Sequence, residues 1–376
     1  MLRRLYVHNF RTLVNFSIEF QEMNLFLGGN GSGKSSVFDV LYKLRNFLSE
    51  SNPRADEVFQ FEDITRWDGG QRHQQFELTL EDAAETYQYM LRVEYSPREK
   101  KCRVAAEQLL HQGKSLYKFA TDAEDQARAR VYQDDYTPGG EFLFDRARSG
   151  VAALQERPGS SKPMRFRACL QSLFVVKLDI SAVSAEAQGE DEMPVQNMAN
   201  FAAWYRHLSQ TRQSQIFEFT EGLRGILPGF DSMNLVSAGE SKLLNVEFRR
   251  ENGGSDSYRF SELSDGQRTL ILLYALLYCL PRQGAVLCLD EPENFLALPE
   301  IQFWLDSLES RVLDGSMQAV LISHHPRLIN LLAGDAGQWF YREGAASPTR
   351  IAPVTLDNNG GLPASKLVEL GWLVNE

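Results

Sequence analysis

The chain has 376 residues, 43% of them hydrophobic, which is ample for a buried core and excludes a disordered or low-complexity protein. A formal charge of −11 argues against a protein whose main task is coating nucleic acid, although a local basic face can survive that average. Cys102, Cys169, Cys279 and Cys288 show no CxxC spacing and fit a reducing cytoplasm, and the longest apolar run, 270–280, is too short to cross a membrane.

Residues 2–20 carry two strand patterns, around Leu5 and Val7 and then Phe16, Ile18 and Phe20, joined by a polar bend at 8–12. A further apolar run at 23–27 leads into Gly28-Gly29-Asn30-Gly31-Ser32-Gly33-Lys34-Ser35, which matches GxxxxGK(S/T). Helical spacing of Val37, Val40, Leu41, Leu44, Phe47 and Leu48 follows. Glycines let successive N–H groups converge on one point, and the helix start adds about half a positive charge. Lys34 adds a full charge, and the Ser35 hydroxyl is placed to ligate Mg²⁺. A ligand-free glycine turn is the plain alternative, but the strand–loop–helix context favours nucleotide binding.

Residues 49–53 read as a helix stop and Asp68-Gly69-Gly70 as a turn. From Gln75 the pattern is antiparallel, through Phe76, Leu78, Leu80 and then 87–93, followed by basic Arg98, Lys100, Lys101 and Arg103, most simply a solvated strand edge. Residues 121–163 are turn-rich, with Pro138-Gly139-Gly140, and predict loops and short elements. A strand-like run at 173–180 and an acidic break at 186–194 follow. Phe201, Trp204, Tyr205, Leu208, Ile216, Phe217 and Leu223 then give helical spacing of core type. No repeat and no sustained heptad occurs, which excludes a long coiled coil.

Leu263-Ser264-Asp265-Gly266-Gln267-Arg268 stands at the head of the apolar run 270–280, where Ser264 and Gln267 have the spacing of a helix capping box. The apolar strand 285–289 ends in Asp290-Glu291-Pro292, two acids of which one can face a metal and the other an attacking water. A further apolar strand at 319–322 ends at Ser323-His324-His325-Pro326, a histidine pair with no third ligand nearby.

Phosphate loop, Leu-Ser-Asp-Gly-Gln, Asp-Glu-Pro-Glu-Asn and Ser-His-His-Pro, in that order, resemble the Walker A loop, signature, Walker B and switch histidine of ABC-type ATPases. Asn9-Phe10-Arg11-Thr12 and the GGNGSGKSS loop resemble the RecF/SMC branch, especially the small OLD-type ATPases of bacterial defence cassettes. The resemblance implies an α/β fold, an ABC-type P-loop head with a mixed central sheet, an antiparallel β subdomain and an inserted helical lobe. It divides the chain into a split ATPase core (1–60 plus 255–376), a β-rich lobe (61–165) and a helical or mixed lobe (166–254).

It also implies ATP and Mg²⁺, with Arg11, Gly28, Asn30, Gly31, Ser32, Gly33, Lys34, Ser35 and Ser36 binding nucleotide, Ser35 and Asp290 holding the metal, and Glu291 and His324 acting in catalysis. Ser264, Gly266 and Gln267 would complete the site of a second copy in a homodimer. Ala297 stands where many relatives carry the D-loop aspartate, Asp265 replaces a signature glycine, and the Q-loop glutamine has only Gln74 and Gln75 as candidates. Too little chain follows His325 for an appended nuclease, so the leading function is an ATP-gated switch on a separate effector, a nuclease or toxin, in defence. A DNA-repair ATPase that clamps duplex across Arg98–Arg103, Arg165 and Arg167 is the alternative, and a transporter subunit ranks last.

Overall fold

The alternation read along residues 2–20 forms one end of an eight-stranded antiparallel sheet in a computed structural model that describes residues 1–67, 72–96, 101–121, 127–281, 284–356 and 361–370. The chain divides into two units, Met1–Phe174 with Leu332–Glu376, and Val175–Leu331. These boundaries differ from the motif-based divisions at 60, 165 and 254. The turn read at Asp68-Gly69-Gly70 lies outside the described residues, as do Arg98 and Lys100.

In the first unit β1 (Leu2–His8) pairs with β2 (Phe16–Glu19), Leu5 opposite Ile18, and the next strand, β3 (Met23–Leu27), runs into α1 (Lys34–Phe47). The apolar stripe of α1, including Val37, Val40, Leu41, Leu44 and Phe47, is buried as its spacing predicts. Phenylalanines fill the space around it. Phe26 meets Phe38 at 5.9 Å between ring centroids, and Phe47 meets Phe59, beyond the short α2 (Ala55–Val58), at 5.3 Å.

Beyond β1 the sheet continues through β4 (His73–Asp82), β5 (Glu85–Ser96), β6 (Lys101–His111), β7 (Lys114–Thr121), β8 (Ala127–Tyr132) and β9 (Pro138–Leu143). Pro138-Gly139-Gly140 therefore opens an exposed edge strand rather than a turn, since proline is tolerated at the first position of a strand that needs no further ladder donor. Short α3 (Gly150–Ala153) and α4 (Lys162–Gln171) follow.

β10 (Leu173–Val176) is shorter than the apolar run suggested, and the second unit begins within it. The acidic break contains only the two-residue β11 (Glu186–Ala187). The predicted helices are α5 (Phe201–Thr211) and α6 (Gln213–Arg224), although Phe217 on α6 is exposed, not core. A sheet that the sequence did not announce comes next, β12 (Phe230–Ala238), β13 (Ser241–Arg249) and β14 (Ser255–Arg259), with β11 against β13. Its strands mix exposed apolar and polar positions, which blurs the period of two.

α7 (Asp265–Cys279) is apolar around its whole circumference and is buried from Thr269 through Leu277. Cys279 on it and Cys288 on β15 (Ala285–Asp290) are buried free thiols, as their apolar settings predicted, and burial pushes the Cys279 thiol up to about 12. After α8 (Leu298–Leu313), β16 (Met317–Ile322) lies parallel to β15, Asp290 opposite Ile322. α9 (Pro326–Ala336) leads back into the first unit, where β17 (Gly337–Tyr341) runs parallel to β3 and antiparallel to β18 (Arg350–Pro353).

One carboxylate sits wholly inside the first unit. Glu107 on β6 accepts hydrogen bonds from the Tyr89 hydroxyl at 2.8 Å, the Ser149 hydroxyl and the Gly150 N–H at 2.8 Å. Burial outweighs these donors and raises its pKa above the ordinary 4.5. The native state then holds the proton more tightly than the unfolded chain, so this group's contribution to stability falls as pH rises from that ordinary value through the folded pKa. Glu107→Gln should lack that fall: denaturant melts from pH 4 to 8 should show wild type losing ground to the variant as pH rises, then a constant difference. Parallel curves would show that Glu107 does not carry this pH dependence.

Candidate nucleotide-binding site

In the first unit the chain leaves β3 at Leu27 and turns through the glycine loop into α1, whose N-cap is Gly33 in the left-handed region at φ 107°. Gly28 is the tightest point. Its φ is +139°, and a Cβ there would lie 2.2 Å from the Phe340 carbonyl oxygen of β17, so only glycine lets the two backbones meet. The loop's Lys34 is buried, and its Nζ donates to the carbonyls of Gly28 at 2.5 Å and Gly29 at 3.1 Å. Asn30, Gly31 and Ser35 are exposed and Ser36 is half-buried.

Two residues of the β17–β18 hairpin hold this loop from outside. The buried Thr349 hydroxyl donates to the Ser32 carbonyl at 2.8 Å and lies 2.8 Å from the Thr12 hydroxyl, while its N–H donates to the Thr12 carbonyl at 2.8 Å. Arg342 Nη1 donates to the Gly31 carbonyl at 3.3 Å, and its guanidinium lies 5.2 Å from the centroid of the Trp67 ring. Neither residue carries a periodic signal, because each acts from about 310 residues away.

The bend at Asn9 and Arg11 places both in the left-handed region, φ 63° and 49°. Arg11 is engaged by two carboxylates, Asp39 of α1 and Asp63, the latter at 3.1 Å from Nε, and Lys43 reaches the same Asp63 at 2.9 Å. Gln74 is buried, donates to the carbonyls of Asn9 at 2.9 Å and Asp63 at 3.1 Å, and accepts from the Tyr95 hydroxyl at 2.7 Å. Gln75 donates to Glu77 at 2.8 Å. Both glutamine candidates are thus occupied within this sheet.

In the second unit β15 delivers Asp290 and Glu291. The Glu291 N–H donates to the Ile322 carbonyl at 2.8 Å, and Glu291 adopts φ 52°, the left-handed region that costs a non-glycine residue about 1 kcal/mol or more. That turn aims Asp290 and Glu291 differently, and Asn294 Nδ2 donates to Glu291 Oε2 at 3.1 Å. Glu293 joins this turn to the next strand: its Oε1 accepts from the Ser323 hydroxyl at 2.6 Å and from the His324 N–H at 3.1 Å. His324 is exposed, whereas His325 accepts the Arg327 N–H at 3.2 Å and serves the start of α9. Among the described residues no group of three or more His, Cys, Asp and Glu is placed to hold a metal.

Ser264 is the N-cap of α7. Its hydroxyl accepts the Gln267 N–H at 3.3 Å and the Gln267 side chain accepts the Ser264 N–H at 3.1 Å, a complete capping box. Ser264 is exposed and Gly266 half-buried, with a Cβ on Gly266 falling 2.8 Å from the Phe295 carbonyl. Arg268 anchors the same turn, donating to the Ile180 carbonyl at 3.1 Å and pairing with Asp265.

Residues 1–133 match the family described as an AAA ATPase domain, and residues 177–330 match the family described as "AAA domain, putative AbiEii toxin, Type IV TA system". The first match ends well beyond the glycine loop and the second contains the signature, Walker B and switch-histidine motifs. The chain thus resembles the AAA ATPases through two family models, each over less than half of its length. Among solved structures it is similar to an Smc head bound to the C-terminal winged-helix domain of ScpA, at TM-score 0.54 and 13% identity, over 95% of this chain and 99% of that one. It is also similar to an Smc head with an extended coiled coil bound to the C-terminal domain of ScpA from Pyrococcus furiosus, at TM-score 0.54 and 12% identity over 98% of both. These likenesses concern the fold. No curated protein matches the sequence.

Two of the basic residues nominated for DNA are engaged within the chain. Arg165 pairs with Asp82 at 3.0 Å and Glu85 at 2.8 Å, and Arg167 donates to the Leu154 carbonyl at 3.1 Å. Lys101 and Arg103 are exposed on β6. No described helix is long and apolar enough to cross a membrane. Of the residues that motif reading missed, Glu293 was the most accessible, since it lies inside Asp-Glu-Pro-Glu. Removing the hairpin's grip on the loop should be measurable: Thr349→Val leaves the Ser32 carbonyl without its donor and should cost about 1–3 kcal/mol in melts, with weaker ATP binding, while Thr349→Ser keeps both. An unchanged melting temperature in the valine variant would show that the loop does not depend on this hydroxyl.

Proposed function

We propose that this ATPase is a switch that binds and hydrolyses ATP, closes as a homodimer around two nucleotides, and controls a separate effector protein in a bacterial defence or toxin-like system. The observation that carries the reading is the division of labour between two sets of groups: a loop with its lysine folded onto its own carbonyls, and a capped helix start that presents Ser264 outward. The first is built to receive phosphates. The second, with Gly266 and Gln267, offers N–H groups and a helix dipole to an anion supplied by another copy. The family description naming a type IV toxin–antitoxin system supports an effector partner, and the pairing of Arg165 with Asp82 and Glu85 speaks against DNA as the primary ligand.

The functional core in this proposal is 1–60 plus 255–376, with 61–165 and 166–254 as inserted lobes. Gly28, Asn30, Gly31, Ser32, Gly33, Lys34, Ser35 and Ser36 bind the phosphates, and Lys34 exchanges the Gly28 and Gly29 carbonyls for phosphate oxygens. Arg11 contributes only by leaving Asp39 or Asp63. Ser35 and Asp290 would hold Mg²⁺, a donor set that fits a hard cation that keeps phosphate and water ligands, and Lys177 already places a positive charge 3.5 Å from Asp290. Bound Mg²⁺ neutralises charge on the β- and γ-phosphates. Glu291 orients and deprotonates the attacking water, and His324, whose backbone is fixed by Glu293, faces the γ-phosphate.

Lys34→Ala should abolish nucleotide binding, measured by fluorescent-ATP titration. Glu291→Gln should bind ATP, sediment as a dimer when ATP is present, and turn over at least a hundredfold more slowly. Rapid turnover by the glutamine variant would remove Glu291 as the base. Brisk hydrolysis by the purified protein that rises further with duplex DNA would replace the effector switch with a repair ATPase.

A further inference from the structure

Lys177 is the first residue after β10, and its Nζ lies 3.5 Å from Asp290 Oδ2. The two groups differ sharply in exposure: the lysine side chain is 69% exposed and the aspartate only 8%. Asp290 is therefore fixed in the protein, whereas the lysine is a flexible stem that brings its charge to the carboxylate from solvent. The Lys177 N–H donates to the Gln196 carbonyl at 2.8 Å, and three residues on, Arg268 of α7 holds the Ile180 carbonyl at 3.1 Å. The backbone of the segment is anchored at both ends, so the lysine's mobility is confined to its side chain.

Resting on the ATPase reading above, we propose that Lys177 is a positioning residue that neutralises Asp290 before the metal arrives and competes with Mg²⁺ for it. A carboxylate cannot give the same lone pairs to an ammonium and to a divalent cation, and the two positive charges repel at that distance. The ion pair is exposed on the lysine side, so it is weak and readily given up: about fivefold in an equilibrium constant at most. This is an advantage for a switch. The lysine is a cation at Asp290 that the protein can withdraw.

The test uses the full chain carrying Glu291→Gln, so that ATP persists, with protein in excess over ATP and Mn²⁺ as the probe, free Mn²⁺ being read by electron paramagnetic resonance. Lys177→Met in this background should bind Mn²⁺ about two- to fivefold more tightly, and Lys177→Arg should restore the weaker affinity. The gain should shrink as KCl is raised, which a purely structural effect of losing the lysine would not do. Equal or weaker Mn²⁺ binding in the methionine variant overturns the competition, provided that Asp290→Asn abolishes the binding. Mn²⁺ binding that is indifferent to Asp290→Asn overturns the assignment of Asp290 as the metal ligand instead, and with it the basis for the proposal.

Discussion

The close approach of two backbones at Gly28 is the constraint on which the nucleotide loop depends. The Phe340 carbonyl occupies the space that any side chain at 28 would need, so the loop's path is set by a strand from the far end of the sequence. Thr349 then fixes Ser32, and the buried ring of Phe340 packs 4.7 Å from Phe26, centroid to centroid, behind the loop. Phosphate binding needs N–H groups held in one arrangement before the ligand arrives, because any ordering left until binding would weaken it. The hairpin supplies that order from outside the loop.

The second unit solves a related problem with a different device. α7 is buried from Thr269 through Leu277, so its axis is fixed by packing, and its first turn reaches solvent. Its capping box satisfies N–H groups of Ser264 and Gln267 while leaving the helix end open to an anion. The capping reading of Ser264 and Gln267 and the signature reading are therefore not rivals. One describes how the helix start is stabilised, and the other what the stabilised start can receive. The Walker B turn shows the same economy, since Glu293 positions His324 through its backbone and leaves the imidazole exposed.

What the sequence made legible was local. The loop at 28–35, the stripe on α1, the capping box and the strand ending at Asp290 all follow from spacing within a dozen residues, and each stands where spacing placed it. The sheet of β12, β13 and β14 was missed because half-exposed strands with mixed polarity lose the alternation by which strands are recognised. Phe217 was assigned to the core because periodicity shows which face a residue occupies but not whether anything covers that face. Thr349, Arg342 and Lys177 were illegible for a further reason: their significance lies in contacts with residues about 110 to 320 positions away, and single threonines, arginines and lysines carry no motif.

The grip of Thr349 on Ser32 and Thr12 also bears on when the loop can form during synthesis. Residues separated by 317 and 337 positions must meet before the glycine loop is clamped, so every intervening strand and helix is made before that contact is possible. Such long closures are slow and entropically demanding. A nascent chain whose glycine loop has left the ribosome has the motif but not yet the clamp. The clamp on the glycine loop can therefore form only once residue 349 has been made.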